Sequence, residues 1–297
     1  MKVAVGASLL SIAATLVLDR SQVQQRQDAQ EGELELASKF AIAATSVPPG
    51  ATRDLLSSFE ICGVCERWQR FGEFFDGGYV MCMDHLAKEQ GLLAGFSLGV
   101  EHHDQWSEDV VDHMHIPVYQ MDCTVSEAPA GCSNCHFFKK CLKSADGSDD
   151  NFAGSSWTLA EALDKAGMAN APDRSLLMKM DIESSEWAIF EKENVGLLQK
   201  FQQVIVEFHG LLEERRHPQY LKALQTILAA GFHVAHLHGN NYAGMYQVGG
   251  YKVPNVLEVT FTSGAARAEC AHNQEYFRNL DHSNTGGPRD LPMAELP

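Results

Sequence analysis

Three apolar runs of this chain end in an acid, and acids at strand ends can hold a cofactor's hydroxyls, orient a substrate or carry a proton. Leu176-Leu177-Met178-Lys179-Met180 stops at Asp181, with Glu183 just beyond. Val204-Ile205-Val206 stops at Glu207-Phe208-His209, and Pro117-Val118-Tyr119-Gln120-Met121 stops at Asp122. Open α/β sheets bind ligands beyond the carboxyl ends of their strands, so groups placed there face a crevice. Asp122 also follows the turn Gly95-Phe96-Ser97-Leu98-Gly99-Val100 at roughly the 20-residue interval of a ribose-binding acid. The turn itself is sparse against a full G-x-G-x-x-G.

Histidine exchanges protons near neutral pH, and His209 closes a strand just past Glu207, so it is the first candidate for a general base. It reads equally well as a strand-end histidine bonded to backbone. Asp181 is the competing base, and His236 and His238 stand one strand further on. Asp181, Glu183, Glu207 and His209 offer oxygen and nitrogen ligands for a divalent ion. No spacing fixes such a site, so a hydrogen-bonded polar cleft is preferred and no metal ligand is assigned. His102, His103, His113 and His115 lie among Asp104, Glu108, Asp109 and Asp112 and read as a solvated face, with Trp106 packing inward. Asp76-Gly77-Gly78-Tyr79 reads as a tight turn returning Tyr79 to the fold, or as a loop beside cofactor or substrate.

The elements that must position these groups alternate along the chain from Leu55 to about Thr262, the pattern of a mostly parallel sheet. Strands are expected at Leu92–Leu98, Val118–Met121, Leu176–Ile182, Val204–Phe208, His233–Leu237 and Val256–Thr262. Thr158-Leu159-Ala160-Glu161 is a capping box opening a helix to Ala166. Pro218 opens another over Tyr220–Ala230, closed by Gly231. Cys123–Phe152 reads as an insertion-like loop, and the region near Gly286-Gly287-Pro288 as disordered.

The net charge of -16 argues against nucleic acid or an anionic membrane as partner, since either would need a basic footprint. Lys2, the uncharged run Val3 to Leu18 and the polar stretch from Asp19 onward follow the order of a secretory signal peptide or short signal anchor. Residues 1–19 are therefore read as that signal, 20–55 as stem, 56–264 as the catalytic domain and 265–297 as a polar tail. Any membrane contact would run through the amino-terminal segment alone. The eight cysteines read as disulfides in an oxidising compartment, secreted or anchored in the secretory pathway, with connectivity left open. The Cys62/Cys65 and Cys132/Cys135 pairs suit structural zinc less well.

Several blocks in order resemble the S-adenosylmethionine-dependent methyltransferases of the FkbM type and the related methyltransferase-like 24 group. They are Asp76-Gly77-Gly78-Tyr79-Val80, Phe96-Ser97-Leu98-Gly99-Val100, Lys179-Met180-Asp181-Ile182-Glu183-Ser184-Ser185-Glu186-Trp187 and Val206-Glu207-Phe208-His209. His238-Gly239-Asn240-Asn241 and Pro254-Asn255-Val256-Leu257-Glu258-Val259 follow in the same order. The resemblance covers residues 56 to 262, and its most specific part is K-x-D-x-E-x-x-E-W.

The resemblance implies a Rossmann-like, seven-stranded α/β sheet with helices on both faces, binding S-adenosylmethionine and methylating a hydroxyl oxygen. Ser97 and Gly99 would line the cofactor, Asp122 would hold its ribose, and Asp181 would lie near the methyl donor with Glu183 beside it. Asp76, Tyr79, His238 and Asn241 fall on the substrate side. The family's usual glycine after D-x-E is Ser184 here. The acceptor is left open among a small molecule, a glycan and a protein side chain. The alternatives are a catalytically inactive scaffold domain of the same fold and a dehydrogenase on a similar sheet.

Overall fold

The apolar runs that mark strands in the sequence lie side by side in one mixed sheet, and the acids at their ends gather along one edge of it. The computed structural model describes residues 50–84, 86, 91–150, 152, 154–271, 280–286 and 291. The chain divides after Ser46, and every described residue belongs to the second unit, Val47–Pro297. The expected signal segment, the stem to residue 49 and residues 287–290 lie outside the described residues. Among the described residues no helix is long and apolar enough to cross a membrane.

The second unit opens with α1 (Ala51–Ser57), β1 (Ile61–Gly63) and the hairpin β2 (Trp68–Gly72) and β3 (Gly78–Cys82). Then come β4 (Ala94–Leu98), α2 (Gln105–Met114), β5 (Val118–Met121), β6 (Cys135–Phe138) and the short pair β7 (Cys141–Leu142) and β8 (Ser156–Trp157). They are followed by α3 (Leu159–Lys165), β9 (Leu176–Met180), α4 (Glu186–Lys192), α5 (Val195–Leu198), β10 (Phe201–His209) and α6 (His217–Ala229). The last elements are β11 (His233–Gly239), the hairpin β12 (Met245–Val248) and β13 (Tyr251–Pro254), β14 (Val256–Thr262) and β15 (Ala266–Ala271).

The seven-stranded sheet runs in the order β11-β14-β10-β9-β4-β5-β6. Pairings from β6 across to β10 are parallel, and β14 lies antiparallel between β10 and β11. From β4 the chain moves outward through β5 to β6, then returns to the other side of β4 at β9. The gap between the carboxyl ends of β4 and β9 is therefore the switch point where a Rossmann-like sheet opens a crevice. β14 departs from the purely parallel order of a dinucleotide-binding sheet.

One face of the sheet carries the larger core, with α1, α4 and α6 contributing Leu55, Trp187, Phe190, Tyr220 and Leu224. Trp187 stacks between Phe208 and Tyr220, with ring centroids 4.1 Å from each. The other face is covered by α2 and the β2–β3 hairpin, through Trp106, Val110, Met114, Phe71, Tyr79 and Met81. Local signals set the helix ends: Thr158 and Glu161 form the expected capping box of α3, and Asp104 caps α2 by accepting from Ser107 N–H at 3.2 Å.

The structure extends the domain past both boundaries drawn from the sequence. At the amino side α1 begins at Ala51, inside the expected stem, and Thr52 meets the buried His217 of α6 (Oγ1 to Nδ1, 2.9 Å). At the carboxyl side the expected tail supplies β15, which pairs with β1, and buried Asp281 and Asn284. The Cys123–Phe152 segment is likewise more than an insertion loop, since it supplies β6, an edge strand of the main sheet. α2 is half core rather than a wholly solvated face, and Trp106 packs inward as expected.

All eight cysteines pair, as Cys62–Cys270, Cys65–Cys82, Cys123–Cys141 and Cys132–Cys135. This set suits an oxidising compartment. The first bridge staples β1 to β15 across 208 residues of sequence. A Cys132–Cys135 disulfide removes the zinc reading of that pair.

Candidate functional site

Register puts the acids in one row. Glu207 of β10 faces Glu258 of β14 directly, and Glu258 faces His238 of β11. Val206 pairs with Met180, so Asp181, one residue past β9, falls beside Glu207. The row His238, Glu258, Glu207, Asp181 crosses the sheet on the face covered by β3. There Tyr79 places its Oη 3.1 Å from both Asp181 Oδ2 and Glu207 Oε2.

A single phenolic proton cannot serve both acids. Burial, then repulsion from Asp181, Glu258 and Asp76, pushes the Glu207 carboxyl well above the usual carboxylate range. Tyr79 Oη donates to one of the two at a time, so Asp181 and Glu207 compete for its proton. Burial, then the surrounding carboxylates, likewise drives the Tyr79 phenol upward. Lys179 is buried beneath this group, and its Nζ donates to Gly99 O at 2.7 Å and meets Asp181 Oδ2 at 3.4 Å. Burial works against its charge, but Asp181, Asp104 and Glu207 outweigh that and raise its pKa.

The β4 end forms the other half of the site. Gly99 has φ +81°, and a Cβ there would run into the Asp181 carbonyl oxygen, so this turn accepts only glycine. Val100 N–H donates to Asp122 Oδ2 at 3.0 Å, and Thr124 donates to Asp122 Oδ1 from both N–H and Oγ at 2.6 Å. Asp181 N–H donates to Leu98 O at 2.9 Å, which closes the switch point. Asp122 is thus tied to the glycine turn, with acceptor capacity remaining on Oδ2. Ser97, expected at the cofactor, is fully buried in β4, and its Oγ has no hydrogen-bond partner.

His209 sits where β10 meets α4. Trp187 Nε1 donates to its carbonyl at 2.7 Å, and its Nδ1 lies 3.1 Å from Glu186 Oε1. The same Glu186 oxygen accepts from Ile182 N–H and Ser184 N–H, at 2.9 and 3.3 Å. Burial opposes a charge on the ring, but the Glu186 hydrogen bond and the charges of Glu186, Glu207 and Asp181 outweigh it and hold the pKa at about 9. At neutral pH His209 is therefore a cation, with Nε2 3.9 Å from Asp181 Oδ1 and 3.6 Å from Glu183 Oε2. Glu183 projects outward, its side chain 88% exposed. Glu183 and Ser184 both adopt left-handed backbone, at φ 54° and 82°. Ser184 thus holds, with a side chain, the conformation that glycine would take freely.

Of the expected substrate-side residues, Asp76, Tyr79 and His238 join the cluster. Asn241 instead exchanges hydrogen bonds with Thr285 and fastens the 280–286 segment. Its neighbour Asn240 reaches inward, donating from Nδ2 to Asp76 Oδ1 and Glu207 Oε1 at 3.2 and 2.9 Å. His236 faces Asp281, with Nε2 3.0 Å from Oδ1, away from the acid row. The sequence reading did not single out Lys179, Glu186, Glu258, Asn240 or Asn284 as site residues. Lys179 and Glu186 stood inside the K-x-D-x-E-x-x-E-W block, and Asn240 and Glu258 inside the two later blocks of the resemblance. Asn284 carried no signal.

A cavity of about 390 Å³ lies at the other end of the sheet, where the parallel strands begin, lined by Arg67, Asp84, Gln202, Gln203 and Thr262 among others. It is remote from the acid row and from the strand ends where such sheets hold ligands.

No protein-family model matches this chain, and no curated protein matches it. Among solved structures the chain is similar to one described as that of an antibiotic-related methyltransferase. The two share 10% identity at a TM-score of 0.26, over 67% of this chain and 100% of the other. A likeness that slight carries no argument.

Proposed function

We propose that this chain is an S-adenosylmethionine-dependent methyltransferase of the secretory pathway, acting on an acceptor hydroxyl of a small molecule, glycan or protein. The resemblance in the K-x-D-x-E-x-x-E-W block motivates this reading. The observation that carries it is the fastening of Asp122 to the backbone just after Gly99, at the β4–β9 switch point beside Asp181.

The residues present fit the cofactor at three points. The Gly99 turn is bare backbone, Asp122 Oδ2 can still accept from a ribose hydroxyl, and the acid-rich edge suits a positively charged ligand. Ser97, being buried, contributes no side-chain contact. When bound, the cofactor would supply a sulfonium methyl whose carbon the acceptor oxygen attacks in line, the sulfur leaving as a neutral thioether. The chain's own part is alignment, together with removal of the acceptor proton. His209, already protonated at neutral pH, cannot accept that proton, so the base role falls to Asp181. Tyr79 and Lys179 occupy Asp181 Oδ2, leaving Oδ1 towards the acceptor. The His209 cation adds a positive charge beside it.

The second reading, a non-catalytic domain of the same fold, is favoured by the burial of Ser97 and by the side chain at Ser184. Isothermal titration of the full, disulfide-intact chain with S-adenosylmethionine, and with NAD as control, separates the two. The enzymatic reading expects saturable binding of S-adenosylmethionine alone, weakened at least tenfold in Asp122→Ala. A folded chain that binds neither ligand leaves the non-catalytic reading.

A further inference from the structure

Glu207 and Glu258 oppose each other across an antiparallel pair, where like charges work against pairing. Asp76, on the turn between β2 and β3, closes over them, and oxygens of all three lie within 4.8 Å of one another. What bridges them is two neutral amides. Asn240 Nδ2 donates to Asp76 and Glu207, while Asn284 Nδ2 donates to Asp76 Oδ1 at 3.0 Å and to Glu258 Oε1 at 2.5 Å. Amide donors satisfy lone pairs but leave the negative charge where it is.

The two amides differ. Asn240 Oδ1 accepts from Tyr242 N–H at 2.9 Å, which fixes its orientation. Asn284 is only 4% exposed, its amide lies between Asp76 and Glu258, and its Oδ1 is buried with no partner. A half-turn of that amide would put the orphaned oxygen where Nδ2 now stands, facing the same two carboxylates. The main chain would not need to move, since Asp76 N–H already donates to Asn284 O at 3.2 Å.

We propose that Asp76, Glu207, Glu258 and the turned amide of Asn284 bind a hard divalent cation, calcium in the first place. The ligand set is all oxygen, with no thiolate or imidazole, which selects calcium, magnesium or manganese over zinc or copper. Calcium tolerates irregular coordination where magnesium demands a near-ideal octahedron, and ligands drawn from a turn, two strands and the 280–286 segment suit calcium. Asp76 stands exposed, so water or an acceptor oxygen can complete the shell. The cation would also relieve the Glu207–Glu258 opposition. This site differs from the Asp181, Glu183, Glu207 and His209 set considered in the sequence, where His209 is already bonded to Glu186. It does not depend on the methyl-transfer reading.

The test is calorimetric titration of the full, disulfide-intact, chelator-stripped chain with calcium chloride, then with magnesium and manganese chloride. We expect one calcium per chain with a Kd below about 1 mM, the range of extracellular calcium modules. Asp76→Asn and Asn284→Ala should each raise the Kd at least tenfold, while Glu127→Gln on the exposed surface leaves it unchanged. Circular dichroism on each variant shows that it is folded; Asp76, being exposed, is the safer substitution. Absence of saturable binding of all three ions by folded protein overturns the site. So does binding that both variants leave intact. Binding of magnesium or manganese without calcium overturns the calcium assignment.

Discussion

Ser184→Gly should stabilise this protein, against the usual effect of introducing glycine. Ser184 sits at φ 82°, directly after Glu183 at φ 54°. The left-handed region costs an L-residue roughly 1–2 kcal/mol. Glycine escapes that cost but gives back about 0.5–1 kcal/mol through the greater freedom of its unfolded chain. The backbone N–H that donates to Glu186 Oε1 is kept, so no hydrogen bond is lost in the exchange. The net gain is about 0.5–1 kcal/mol, and for a domain of this size each kcal/mol raises Tm by about 2–4 °C. Scanning calorimetry of the intact-disulfide protein should therefore show a rise of about 1–4 °C. The neighbouring Ser185→Gly is the control, because Ser185 has an ordinary φ of -86° and gains only the entropic penalty. Its Tm should fall. A Ser184→Gly protein that melts at or below the wild-type temperature refutes the strain argument, and two variants moving together refute it as well.

Gly99→Ala should act in the opposite sense, with a Tm loss well beyond that of Ser185→Gly, because its Cβ meets the Asp181 carbonyl; a melting curve checks it. Removing the Cys62–Cys270 bridge by paired serine substitution opens a 208-residue loop and should cost up to about 5 kcal/mol on chain-entropy grounds. The short Cys132–Cys135 loop should cost nearer 2 kcal/mol by the same arithmetic, and denaturant unfolding of the two variants compares them. His209 has a folded pKa of about 9 against an ordinary 6.5, so its contribution is fully present below pH 6.5 and is lost as pH rises through 9. In chelator-containing buffer the loss should approach roughly 3 kcal/mol, and His209→Gln should flatten that part of the stability profile. An unchanged slope would show that His209 is not held as a cation.

Elements governed by local pattern were legible in the sequence. The Val256–Thr262 strand has the expected bounds because a β-branched run fits a strand buried on both faces. The α3 capping box was readable because its chemistry is local. α2 was obscured by its histidines and acids, although Trp106, Val110, Val111 and Met114 keep a helical spacing. β6 was hidden by its polar, cysteine-rich surroundings. What could not be read was long-range. The Cys62–Cys270 bridge, the pairing of β15 with β1 and the return of Asn284 to the acid row all join residues some 200 apart. Half of the candidate site was visible as acids at strand ends. In the other half, Asn240 and Glu258 stood in blocks of the resemblance without a role, and only register and chain return join them to Asn284.

Tyr79 and Glu207 divide this edge of the sheet into two unequal electrostatic problems. On the β4–β9 side, Asp181 has Lys179 at 3.4 Å and the His209 imidazolium at 3.9 Å, so its charge is countered by the protein itself. On the β10–β14 side, Glu258 has His238 Nδ1 at 2.9 Å and Glu207 has His209 Nε2 at 3.8 Å, while Asp76 meets the Asn240 and Asn284 amides. Burying a carboxylate costs several kcal/mol unless a counter-charge meets it, and burial with repulsion from Asp181, Glu258 and Asp76 raises the Glu207 pKa. The two halves share Tyr79, whose phenol proton is drawn between Glu207 and Asp181. The two halves meet at one buried hydroxyl, within 3.1 Å of both carboxylates.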